Sequence, residues 1–201
     1  MQVCYFASDF HLGAPSKEQS NERERAIVRW LDYAATDATD IYLVGDVFDF
    51  WFEYAAVIPK GYSRFFGKLA ELADRGIQLH FFYGNHDMWV KQYFTDEFGM
   101  KIYANPIQLT LYGKRIYLGH GDGLGPGDRG YKFIKLFLRS TLCQWAFARI
   151  HPNFGIGLAR FFSGKSREGS EHEHQFLGFE HEWLYQYAQT MQQKDPHDYY
   201  I

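Results

Sequence analysis

Carboxylate, amide and imidazole side chains recur in this chain at the ends of short apolar runs. VCYFA leads into Ser8-Asp9-Phe10-His11, IYLV into Gly45-Asp46-Val47-Phe48-Asp49, LHFFY into Gly84-Asn85-His86-Asp87, and IYL into Gly119-His120-Gly121-Asp122. A buried strand that stops at a small residue and then presents Asp, Asn or His delivers that side chain to the carboxyl edge of a sheet, where open α/β folds place ligands. Four such ends make one polar cluster of oxygen and imidazole donors. With no thiolate among them, the set suits Mn, Fe, Zn or Mg rather than a structural thiolate zinc site. Each motif alone is weak: a lone Gly-Asp closes turns, the structural alternative for Asp49 is a turn residue, and Asp122 reads about equally as a loop cap. A purely structural reading must explain the same bias at four strand ends, and the conjunction favours a site.

The elements that position these residues follow from periodicity. A strand is expected over 2–7, then a helix from Asn21, whose spacing to Glu24 fits a capping box, to Ala35. Strand 41–44 precedes the second motif, and a helix from Tyr62, closed by Gly76, precedes strand 77–82. A short helix follows Met88, and strands 107–112 and 114–118 join at Tyr112-Gly113 as a hairpin. This alternation predicts an α/β sandwich core over residues 1–127.

Residues 128–175 break the alternation and read as an inserted helical cap, with 176–201 returning through a helix to the start of the last core strands. Phe133, Leu136, Phe137, Trp145, Phe147, Phe154, Leu158, Phe161 and Phe162 recur at helical spacing, with Pro152 and Gly155 marking a joint between two helices. Eight Lys or Arg residues and no Asp or Glu lie between Arg129 and Arg167, leaving 13 basic and 24 acidic residues elsewhere in a chain of net charge −3. A basic block of this kind points to an anionic partner. Two readings stay open: aromatics packed onto the core with a solvated basic face, or apolar and basic side chains together forming a site for an anionic lipid or membrane surface. The block is apolar-rich and lacks a recognised nucleic-acid module, which argues against a nucleic-acid partner. The stretch 168–175 is expected to be a loop, with His172 and His174 solvated rather than ligating. Cys4 and Cys143 suit buried reduced thiols in a cytosolic protein. No run approaches the ~18 apolar residues that span a bilayer, and Met1 leads directly into the first strand, so a soluble or peripheral intracellular protein is expected.

In their order and spacing, Asp9-x-His11, Gly45-Asp46-x-x-Asp49, Gly84-Asn85-His86-Asp87 and Gly119-His120-Gly121-Asp122 resemble the binuclear metallophosphoesterases, the calcineurin-like phosphatases and phosphodiesterases. Phe48-Asp49-Phe50-Trp51, His120-Gly121-Asp122-Gly123-Leu124 and the basic aromatic stretch are more specifically similar to the UDP-2,3-diacylglucosamine pyrophosphohydrolases of lipid A biosynthesis. The resemblance implies the calcineurin-like α/β sandwich and two divalent cations, Mn2+ by preference, roughly 3.5 to 4 Å apart, that acidify a water between them for in-line attack. It implies Asp46 as the bridging carboxylate, Asp9 and His11 on the first cation, and Asn85 and His120 on the second. His86 is then a proton donor rather than a ligand, with Asp49 accepting its other ring proton. Asn85, Asp122, Lys165, Ser166 and Arg167 are the implied substrate contacts.

The implied substrate is a lipid-linked nucleotide, cleaved to UMP and 2,3-diacylglucosamine 1-phosphate by an enzyme peripheral on the cytoplasmic face of the inner membrane. A metallophosphoesterase for a soluble nucleotide or phosphomonoester, and a non-catalytic metal-binding domain, are the alternatives. The third motif of those lipid A hydrolases carries Arg where this chain has His86, which moves it toward the general superfamily pattern. The family's later Gly-His-x-His is absent from these 201 residues, and Asp198-Tyr199-Tyr200-Ile201 reads as the strand that leads into it. The expectation is therefore a fragment with little hydrolase activity of its own.

Overall fold

In a computed structural model that describes residues 2–127, 129–171 and 178–201, four parallel strands form the sheet that carries the site. They run in the order β1 (Cys4–Ala7), β2 (Asp40–Val44), β3 (Gln78–Phe82) and β4 (Lys101–Tyr103). A second sheet pairs β5 (Ile107–Leu111) antiparallel to β6 (Lys114–Leu118), and β6 parallel to β7 (Tyr199–Tyr200). β2 is buried along its whole length, as a central strand covered on both faces must be. Its alternation divides the core. Ile41 and Leu43 join the cluster beneath α1 (Lys17–Ala34), α2 (Ser63–Asp74) and α3 (Tyr93–Phe98), whereas Tyr42 and Val44 pack with Leu111, Ile116 and Leu118 of the second sheet. The β5–β6 hairpin turns at Tyr112 (φ 54) and Gly113 (φ 74), the paired left-handed residues that a two-residue hairpin requires.

Three expectations are corrected. α1 begins at Lys17, four residues before Asn21, because the Ser16 side chain accepts from the Gln19 amide at 3.2 Å. Glu24 does not close a capping box. Its buried carboxylate accepts instead from the amides of Arg64 (2.9 Å) and Phe65 (3.1 Å), in the first turn of α2. The residue before α2, Tyr62, is left-handed and offers no side-chain cap, so a glutamate 40 positions away supplies one. Glu53 does the same for α3, accepting from the amides of Lys91, Gln92 and Tyr93 at 2.8 to 3.2 Å. β4, only three residues long, carried no periodic signal.

The second correction concerns the inserted region, which holds three helices rather than two: α4 (Arg129–Leu138), α5 (Thr141–Phe147) and α6 (Pro152–Glu171). Pro152 opens α6, where its missing amide hydrogen costs nothing, and Ser140 caps α5 by accepting from the Cys143 amide. Gly155 is no joint. It lies inside α6 because a Cβ there would stand 2.7 Å from the Tyr54 hydroxyl and 3.1 Å from the Phe147 ring. α6 continues through Glu171, into the stretch expected to be a loop, and His172 and His174 lie outside the described residues.

The third correction is to the thiols. Cys4 and Cys143 are free, as expected, but half-buried rather than buried. Among the described residues no helix is long and apolar enough to cross a membrane. α7 (Trp183–Lys194) follows a single 3-10 turn and returns the chain to β7.

Removing the Glu24 carboxylate leaves two amide donors in the first turn of α2 without their acceptor. Glu24→Ala is expected to lower unfolding stability by about 2 to 4 kcal/mol. Glu24→Gln, which keeps an acceptor oxygen, is expected to lose less than half of that. Urea denaturation of the three proteins measures both.

Candidate metal centre

Tight backbone geometry brings the strand ends together. Asp9 (φ 58), His11 (φ 44) and Asp46 (φ 52) all occupy the left-handed region, which costs a non-glycine residue energy that the surrounding structure must offset. Inter-loop bonds hold them: the Asp9 amide donates to Gly45 O at 3.1 Å, His11 to Asp46 O at 2.9 Å, and Leu12 to Val47 O at 2.9 Å. Two glycines make the close approach possible. A Cβ on Gly45 would fall 2.6 Å from the His120 ring, and one on Gly84 would fall 2.0 Å from Asp46 Oδ1.

Asp87, quoted above only as the end of its motif, organises the loops. Its side chain is fully buried and accepts from four amides: Asp46 (3.3 Å), Val47 (2.7 Å), Phe48 (3.3 Å) and Gly84 (2.9 Å). One carboxylate thus ties the loop after β2 to the loop after β3. Desolvation and the neighbouring Asp46 charge push the Asp87 carboxyl up to about 7 in the metal-free protein, against the pull of the Gly84 and Phe48 amides.

Within this frame Asp9, His11, Asp46, Asn85, His86 and His120 gather at one spot. His11 Nε2 stands 3.8 Å from both Asp9 Oδ1 and Asp46 Oδ2, and His120 Nε2 stands 3.4 Å from Asp46 Oδ2 and 3.4 Å from Asn85 Oδ1. Among the described residues the atoms that could hold a cation fall into two groups, His11 with Asp46 and His86, and Asp9 with Asp46 and His120. Asp46 belongs to both. The distances above also set Asp9 and His11 together beside Asp46, and Asn85 and His120 together beside it, while His86 stands close to the first pair.

The donor set fits divalent cations. The His120 Nδ1 faces Val44 O at 2.9 Å, so this nitrogen carries the hydrogen and Nε2 is turned toward Asp46. Burial alone would lower the pKa of His120. The Asp46 carboxylate overrides it and lifts His120 to about 9, while burial of Asp46 is in turn outweighed by His120, which holds that carboxyl low. The metal-free site therefore keeps a proton where its geometry offers a metal-ligating lone pair.

The remaining expected residues divide. The Asp49 carboxylate does not bond the His86 ring directly: Oδ1 is 3.9 Å from His86 Nδ1, which contacts the Asp49 backbone carbonyl at 3.0 Å instead. Ser163 of α6, which sequence reasoning missed, bridges the gap, with its hydroxyl 2.8 Å from Asp49 Oδ1 and 3.2 Å from His86 Nδ1. No spacing rule pairs a residue with one 114 positions away. Asp122 is engaged by α4, its carboxylate meeting Lys135 Nζ at 2.6 Å and accepting from the Tyr131 hydroxyl. Lys165, Ser166 and Arg167 lie along α6, and their side chains are outside the described residues.

Because His120 is protonated below about pH 9, a cation entering the site displaces that proton. Divalent-metal affinity is expected to rise about tenfold per pH unit between pH 7 and 8.5 and to flatten above pH 9. Calorimetric titrations in buffers of different ionisation enthalpy measure the released proton. A pH-independent affinity would remove His120 from the ligand set.

The likeness to known proteins agrees with this geometry. Residues 4–157 match the family model for calcineurin-like phosphoesterases. The chain is 37% identical, over 98% of its length and 80% of the relative's, to a UDP-2,3-diacylglucosamine hydrolase of Porphyromonas gingivalis. To the protein of the same name from Aeromonas hydrophila it is 31% identical, over 86% of this chain and 69% of that one. A sheet edge that gathers Asp, Asn and His around a shared carboxylate, and a family match spanning most of the chain, place this protein among the calcineurin-like phosphoesterases.

Proposed function

We propose that the protein hydrolyses the pyrophosphate of UDP-2,3-diacylglucosamine, releasing UMP and 2,3-diacylglucosamine 1-phosphate, in lipid A biosynthesis. The names of its relatives support this reading. The observation that carries it is the two-sided character of α4. Lys135 and Arg139 line a cleft that reaches His120, Asp122 and Asn105, while Phe133, Leu136 and Phe137 of the same helix are 73%, 72% and 59% exposed. Charge for phosphate and unpartnered apolar surface for acyl chains therefore stand on one element. Trp145, Phe154, Phe161 and Phe162 extend the exposed apolar surface along α5 and α6, whereas Phe147 packs inward against Phe50, Phe52 and Trp89.

In this reading Asp9, His11, Asp46, Asn85 and His120 hold two divalent cations, assigned as Mn2+, which supply a hydroxide at neutral pH and polarise the phosphoryl oxygens. Asn85 also meets the phosphoryl group. Lys135 neutralises substrate charge and is held in place by Asp122, so Asp122 acts on the substrate through it. Lys165, Ser166 and Arg167 complete the contacts from α6. His86 protonates the leaving oxygen as its bond to phosphorus breaks. The exposed apolar surface supports a peripheral position on the cytoplasmic face of the inner membrane in this reading.

The test follows UMP release by the full-length protein with Mn2+. UDP-2,3-diacylglucosamine should be turned over with a kcat/KM at least 100-fold above that of a soluble UDP-sugar lacking acyl chains, and equal rates on the two would favour a soluble substrate. His86→Ala should lower kcat about 100-fold or more while leaving the number of bound Mn2+ ions unchanged. Loss of an ion in that variant would make His86 a ligand.

A further inference from the structure

We propose that Ser163 of α6 is a positioning residue that directs the proton of His86, so that the inserted helices take part in arming the catalytic acid. The proposal rests on the reading of His86 as that acid.

The direction of each hydrogen bond follows from what each group can give. The Asp49 carboxylate, 4% exposed, only accepts, so the Ser163 hydroxyl must spend its one hydrogen on Asp49 Oδ1 at 2.8 Å. Its oxygen then has only lone pairs left for His86 Nδ1, 3.2 Å away. The Asp49 carbonyl, 3.0 Å from the same nitrogen, is likewise an acceptor alone. Two acceptors thus face Nδ1, and that nitrogen carries a hydrogen whether the ring is charged or neutral. Nε2 is left to point at the cluster, where His86 stands with His11 and Asp46.

The consequence is a one-way transfer. As hydroxide forms its bond to phosphorus and the bond to the leaving oxygen breaks, the imidazolium gives up its Nε2 hydrogen to that oxygen. What remains is the neutral Nδ1–H ring, the tautomer that Ser163 and Asp49 stabilise. Ser163 stands on the inserted helix α6, whereas Asp49 and His86 follow core strands. Displacing α6 removes one of the two acceptors. This arrangement is a candidate for coupling the position of the inserted helices to proton donation.

The experiment has two readouts. In the metal-free protein, nitrogen-detected NMR of the histidine rings should show His86 wholly as the Nδ1–H tautomer, with the Nε2–H form appearing in Ser163→Ala. With Mn2+ bound, the full-length protein is assayed on aryl phosphodiesters differing only in leaving group. Ser163→Ala should lose about tenfold in kcat on a phenyl ester, which needs the acid, and less than threefold on a p-nitrophenyl ester, with KM within twofold on both. Ser163→Thr, which keeps the hydroxyl, should recover to within threefold. In a His86→Ala background, Ser163→Ala should add nothing.

An equal loss on both esters, a loss confined to KM, or full additivity with His86→Ala would overturn the proposal. So would an Nε2–H tautomer in the unaltered protein. A leaving-group effect absent from His86→Ala itself would overturn the acid reading instead, so the two failures are distinguishable.

Discussion

The two loops that carry Asp46, Asn85 and His86 depend on a buried carboxylate that stands outside both groups of candidate ligands. Asp87 accepts amides from the loop after β2 and from Gly84 after β3, and it thereby fixes the backbone from which Asp46, Asn85 and His86 project. Asp46 in turn accepts from the His86 amide at 2.9 Å, so Asp46 and Asp87 brace the same two loops. Left-handed residues at Asp9, His11 and Asp46 are tenable only because bonds of this kind over-determine them. The same device recurs away from the site, where Glu24 and Glu53 satisfy the first turns of α2 and α3. Glu24, Glu53 and Asp87 thus turn buried carboxylates to backbone amides, whereas the buried Asp40 and Asp49 meet the side chains of His80 and Ser163.

What was legible in the sequence was what local pattern encodes. Apolar runs ending in Ser or Gly and then Asp, Asn or His marked β1, β2, β3 and β6, and the Tyr112-Gly113 turn marked the hairpin. What escaped was set by tertiary contact. Asn21 and Glu24 matched a capping box by spacing, but Glu24 is drawn to amides 40 residues on. Pro152 marks the joint between α5 and α6, yet Gly155 lies inside α6, where its lack of a side chain lets the helix approach Tyr54 and Phe147. Three-residue β4 was too short to carry a period. Ser163 had no spacing signal, because its partners come from loops more than 70 residues away.

The inserted helices join two chemistries that the core alone lacks. α4 turns Lys135 toward the cleft, with Arg139 just past its end, and Phe133, Leu136 and Phe137 to solvent, while its Lys135 and Tyr131 clasp Asp122 at the end of the fourth motif. α6 reaches the second and third motifs through Ser163. The insertion is thus tied to the centre at two points, with Leu138 and Phe147 packed inward and Phe133, Leu136, Trp145 and Phe154 left exposed.

In the proposed centre Asp46 serves two cations at once. Crystals of the full-length protein soaked in Mn2+, with anomalous data collected at the manganese edge, test this most directly. The expected result is two peaks roughly 3.5 to 4 Å apart, both within ligating distance of Asp46, with His120 on one of them. A single peak, or two peaks of which only one touches Asp46, would contradict it.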